Sequence, residues 1–208
     1  MTKTFENLLP GQIEQRSFEI ITEMLGEVKL DADKEAIIKR VIHTSADFDY
    51  VNNLCFSENV VQKAYDAIKN GASIVTDTRM ASVGINARRL ESFGGKIHCF
   101  MADADVAEKA KRLGTTRSAV CMEKATSVEG PLIIAIGNAP TALIKLSELI
   151  KQKKIKPELI IGVPVGFVNV VEAKELIMEA GIPYIVARGR KGGSNIAAAI
   201  CNALIYNC

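Results

Sequence analysis

The sequence predicts a single α/β domain with a mostly parallel sheet flanked by helices, and three observations carry that reading. Five short apolar runs alternate with helical patterns from residue 72 onward. Three of those runs end in a glycine-bearing turn that opens the next helix. The length, 208 residues, suits one well-buried core, and neither a long linker nor an internal repeat divides the chain, so residues 1–208 read as one domain.

The first forty residues read as helical. Ile13, Ile20, Ile21, Met24, Leu25 and Val28 recur at spacings that approximate one helical face, which Gly26 interrupts or ends. A second helix is expected from about Asp33 to Ile42, with Ile37, Ile38, Val41 and Ile42 as its apolar side. Strands are then expected at Ala72–Thr76, Ile97–Met101, Leu132–Ile136, Glu158–Gly162 and Pro183–Ala187. Helical patterns lie near Val60–Lys69, Asp105–Leu113, Thr116–Ala125, Thr141–Lys151, Val170–Ala180 and Ser194–Leu204. Crossovers between parallel strands are expected to be right-handed.

Composition narrows the function classes. Twenty-six Lys and Arg against 24 Asp and Glu leave a formal charge of +2, too balanced to indicate nucleic acid as a partner. The run Lys151, Lys153, Lys154 and Lys156 follows a predicted helix and reads as its solvated end. Five cysteines, odd in number and without a Cys-x-x-Cys pair, indicate neither a disulfide scaffold nor a zinc knuckle. The N-terminus lacks the apolar core of a signal peptide and no apolar run suffices to span a bilayer, so a cytoplasmic protein without a membrane partner is expected.

The turns Gly137–Thr141, Gly162–Phe167 and Arg188–Asn195 follow the last three predicted strands. In an open parallel sheet such turns meet at the carboxyl ends of the strands, where ligands bind and helix N-terminal amides favour carboxylates or phosphates. Ser194 is a suitable helix cap. The dinucleotide, Walker, Gly-x-Ser-x-Gly and His-Glu-x-x-His fingerprints do not occur.

Two histidines are present. His43 begins a polar turn with Thr44, Ser45 and Asp47, where an imidazole can exchange a proton near neutral pH and Asp47 could orient it. His98 lies inside a predicted strand and reads as structural. Arg117 stands just inside a helix start and can pair with a carboxylate, whereas Arg88 and Arg89 fit a solvated helix face equally well. Arg190 and Lys191, flanked by glycines at the expected ligand edge, are further anion-binding candidates, as is Arg188; a basic surface loop is the alternative.

The chain closely resembles the precorrin-8X methylmutase family, including its cobalt-precorrin-8 branch, over nearly its full length. The carrying segments occur in order: Arg40–Phe48, Val75–Met80, Thr116–Ala119, Gly137–Leu143, Gly162–Val168 and Gly189–Ser194. The resemblance implies a homodimeric α/β isomerase that moves a methyl group from C11 to C12 of a macrocycle, giving hydrogenobyrinate or cobyrinate in cobalamin biosynthesis. It implies His43 as the catalytic general acid and no cofactor or protein-bound metal, since migration is intramolecular and any cobalt belongs to the substrate. The substrate it implies is a planar tetrapyrrole with several carboxylates. Arg117, Arg190 and Lys191 are the residues expected to hold them, with Thr76, Asp77 and Met80 shaping the pocket. A corrinoid carrier without turnover and a nucleotide-dependent enzyme are the alternatives.

Overall fold

The computed structural model describes residues 6–208. The expectation of helix over the first forty residues therefore includes five, residues 1–5, that lie outside the described residues. The chain opens on α1 (Pro10–Leu25), α2 (Glu35–Ser45) and the single turn α3 (Tyr50–Asn53). Next come β1 (Leu54–Phe56), α4 (Val60–Lys69), β2 (Ser73–Thr76), α5 (Arg79–Gly84), α6 (Ala87–Glu91) and β3 (Ile97–His98). A 3-10 turn at Phe100–Ala102 leads into α7 (Ala104–Leu113), α8 (Arg117–Ala125), β4 (Leu132–Ile136) and α9 (Pro140–Lys151). The chain closes with β5 (Leu159–Gly162), α10 (Val170–Met178), β6 (Tyr184–Ala187) and α11 (Ser194–Tyr206).

The six strands lie in the order β1-β6-β5-β4-β2-β3, parallel except for β1, which runs antiparallel to β6 with Cys55 opposite Val186. All five predicted strands form. The third differs in extent: Ile97–Met101 reads as one apolar run, but pairing with β2 stops at His98 and the chain turns through Phe100–Ala102. Phe100 and Met101 then pack as part of the helical layer beneath the sheet.

Alternation along the strands assigns the two faces. Ile74, Ile133, Ala135, Leu159, Ile161, Ile185 and Ala187 share one core with α2, α4 and α11. Val75, Ile134, Ile136, Ile160 and Val186 share the other with α7, α8, α9 and α10. Helix α11 is apolar nearly all round, and residues Ile196–Cys201 and Ala203–Ile205 are buried, because it lies between the sheet and the outer helices.

Helix α1 begins as its sequence demands, with Pro10 at its first position and the Gln12 side chain accepting the Leu9 N–H at 3.1 Å. Its apolar stripe is only partly used. Ile21 and Leu25 are buried, whereas Ile13, Ile20 and Met24 are 54%, 37% and 66% exposed, and Val28 lies beyond the helix. The expected face is thus an edge contact within one chain rather than a buried stripe. Among the described residues no helix is long and apolar enough to cross a membrane.

Candidate active site

Strands β2 and β4 are neighbours, and the chain departs from them in opposite directions across the sheet, so their carboxyl ends form the topological switch point. That crevice is filled from within. Asp77, fully buried, accepts the Gly137 N–H at 2.8 Å through Oδ1 and those of Asn138 and Ala139 at 2.8 and 2.7 Å through Oδ2. These amides lead into α9, whose N-terminus favours an anion, and the aspartate supplies that anion. Burial pushes the carboxyl pKa up while the three N–H donors oppose it. Thr76 is equally buried and donates to the Thr78 and His98 carbonyls. Thr76 and Asp77 therefore shape the edge by tying loops together, with no exposed atom of their own to offer a ligand.

The other loops interlock around this junction. Thr78 Oγ1 and Ser194 Oγ are 2.8 Å apart, joining the turn after β2 to the start of α11. Ser194 is consequently the first residue of that helix, preceded by Gly193, and not its side-chain cap as expected. The backbone packs so closely here that two glycines are required. A Cβ at Gly137 would stand 2.6 Å from Ser194 Cα, and one at Gly192 would stand 2.1 Å from the Val163 carbonyl oxygen. Gly192→Ala, opposed by rigid backbone rather than a movable side chain, is expected to lower stability by about 2 kcal/mol or more. A denaturant midpoint with an unchanged m-value would measure it.

His43 lies in the last turn of α2, exposed, with its ring 5.3 Å from that of Phe18 on α1 and tilted by 33°. Its imidazole forms no hydrogen bond with another described residue. Arg40, one turn earlier, sits over both Phe18 and Tyr206, at 5.4 and 5.0 Å, and pairs with Glu14 at 2.7 Å. The helix ends at Ala46, whose left-handed backbone (φ 53°) costs a non-glycine residue about 1 kcal/mol. That turn sends Asp47 and Asp49 toward the final loop.

There Lys191 meets both, at 2.6 Å from Asp47 and 2.5 Å from Asp49. The pairing holds the Asp47 carboxyl below the usual range and raises the Lys191 ammonium. Asp47 also accepts the Asp49 N–H, so it serves this strap rather than orienting His43. Lys191, a candidate carboxylate partner by sequence, has its charge met here by two aspartates and joins the His43 turn to the glycine-rich loop.

Arg190 is exposed, donates to the Phe167 carbonyl at 2.8 Å and lies over that ring. Arg117 begins α8, capped by Thr116, whose hydroxyl also meets that of Thr141 at the start of α9, 2.9 Å away. Its guanidinium is exposed and engages no other described residue. Met80, on α5, is 67% exposed, and with Val83, Val165, Phe167 and Val168 it leaves the rim apolar. Arg188 is occupied by Glu175 at 2.9 Å. His98 stacks on Phe100 and burial lowers its pKa, in keeping with a structural role.

Sequence reading missed Lys174. It is fully buried in α10 and donates at 2.8 Å to the carbonyls of both Gly189 and Lys191. Desolvation pushes its pKa down to about 8. The signal was present: Val170, Ala173, Lys174 and Ile177 occupy one helical stripe, so this lysine stands where an apolar residue belongs. Among the described residues no group of three or more His, Cys, Asp or Glu side chains is arranged to hold a metal ion.

Comparison with known proteins agrees with this architecture. The family model described as precorrin-8X methylmutase matches residues 12–207. A cobalt-precorrin-8 methylmutase of Priestia megaterium is 46% identical over 94% of this chain and 87% of its own. A precorrin-8X methylmutase of Pseudomonas aeruginosa is 40% identical over 92% of this chain and 93% of its own. The crystal structure of a precorrin-8X methylmutase from Thermus thermophilus superposes with a TM-score of 0.84 at 38% identity, covering 94% of this chain and 96% of the other. With the matched segments forming one knitted edge of one sheet, the chain belongs to the precorrin-8X methylmutase family and is an isomerase of corrin biosynthesis.

Proposed function

We propose that the C11-to-C12 methyl shift takes place over the carboxyl edge of the sheet, with His43 as general acid. The observation that carries this is the Lys191 strap, which fastens the turn after the exposed imidazole to the loop following β6, a loop joined in turn to the loops after β2 and β5 through Ser194 and Gly193. An imidazole near neutral pH can protonate the ring-C region as charge develops there. Substrate and product are isomers, so the proton given is matched by one released, and no external methyl donor enters.

Arg117 and Arg190, both exposed and neither paired with a carboxylate among the described residues, are the cationic arms for peripheral carboxylates. The apolar rim of Met80, Val165 and Phe167 suits the flat macrocycle, and Thr76 and Asp77 hold the backbone beneath it. Confinement there keeps the migrating methyl in reactive geometry. The site is a homodimer's: one chain leaves the edge open, and the exposed α1 residues Ile13, Ile20 and Met24 supply apolar surface for a two-fold partner.

Anaerobic incubation with metal-free and with cobalt-containing precorrin-8, followed by absorption and mass, tests the activity and the preferred metal state. Conversion of either form to an isomer of unchanged mass is expected. Tight binding without conversion of either would instead identify a corrinoid carrier.

A further inference from the structure

Lys174 is a buried cation without a carboxylate. Among the described residues its ammonium meets only the Gly189 and Lys191 carbonyls. Burying a charge this way is costly, and a methionine of similar length would fill the same space without the cost. The compensation is the loop. The two carbonyls flank Arg190, and every peptide bond here is trans, so each N–H points opposite to the carbonyl of its own peptide. Drawing in the Gly189 carbonyl turns the Arg190 N–H away from Lys174, and drawing in the Lys191 carbonyl does the same for Gly192. Neither amide donates to another described residue, although the neighbouring Gly193 N–H is taken by Val163 at 2.9 Å. Glu175, next along α10, grips the start of the same loop through Arg188.

We propose that Lys174 is a positioning residue of the substrate site, holding the final loop from beneath so that the Arg190 and Gly192 amides, with the Arg190 guanidinium, receive one carboxylate of the macrocycle. The assignment rests on the methylmutase reading of this edge. Two N–H donors turned away from Lys174 can receive one carboxylate as backbone nests do, and the Arg190 guanidinium, of which one N–H is taken by the Phe167 carbonyl, has further donors to add.

Lys174→Met, verified as folded by circular dichroism and melting, is expected to raise KM for precorrin-8 by roughly tenfold or more while kcat changes much less. Arg190→Ala is expected to raise KM as well. The double variant should be little worse than the more impaired single variant, because both changes dismantle one contact. A KM within roughly twofold of wild type in folded Lys174→Met, or strictly additive effects, would overturn the proposal.

Should Lys174→Met not fold, the amide resonances of Arg190 and Gly192 in ¹⁵N-labelled wild type decide the matter on addition of hydrogenobyrinate. Both are expected to shift. Unmoved amides in a protein that does convert precorrin-8 would refute the loop's role and leave the methylmutase reading intact; failure of wild type to convert either form would refute that reading itself.

Discussion

His43→Ala is expected to lower kcat by about 10²- to 10⁴-fold, the usual contribution of a positioned general acid. The variant should fold normally. The imidazole is exposed and touches mainly the Phe18 ring, so its removal costs on the order of 1 kcal/mol or less. Binding of hydrogenobyrinate should survive, since Arg117 and Arg190, the residues proposed to hold its carboxylates, lie on other elements. Single-turnover absorption changes measure the rate, and a titration with product measures the binding. A kcat within a factor of a few of wild type would remove His43 from the chemistry and leave solvent or another group as the acid.

Asp77→Asn is expected to be the most destabilising conservative substitution at this edge. The carboxylate receives one N–H on one oxygen and two on the other. An asparagine must set its NH₂ group against at least one of those donors whichever way it lies, and it loses the charge that complements the start of α9. Leaving buried donors unpaired at this site is expected to cost about 3 kcal/mol or more. In a chain of this size that corresponds to a fall in Tm of roughly 6–12 °C. Calorimetry would read it directly. A Tm unchanged from wild type would mean that the junction between β2 and β4 is held by other contacts.

These two residues illustrate how differently the parts of the site were legible. The β/α alternation was plain because the parallel strands are buried on both faces and read as continuous apolar runs, such as Leu132–Ile136. β1 was invisible: Leu54–Phe56 is three residues long, and its pairing with β6 is set by tertiary position rather than by local pattern. The short helices α5 and α6 are too brief for a periodicity. Their starts are fixed by the Thr78 and Asn86 side chains, which accept the N–H groups of Ala81 and Arg89.

The glycine-bearing turns expected at the carboxyl edge do meet there, while the partners of each charge lay beyond sequence. Asp77 and Lys191 look alike in sequence, as charged residues near a ligand edge. In the fold one is sealed beneath α9 and the other is strapped to Asp47 and Asp49. Lys174, in contrast, sat in an apolar stripe that reads as ordinary core but for its charge.

The most direct test of the account follows the methyl group itself. Precorrin-8 carrying ¹³C in its C11 methyl, in the metal state the enzyme prefers, would be converted anaerobically and the product examined by NMR. The account predicts that the label appears wholly on C12 in a product of unchanged mass, with conversion suppressed in His43→Ala. Label retained at C11 in bound macrocycle, or dilution of the label by methyl groups from another source, would contradict it.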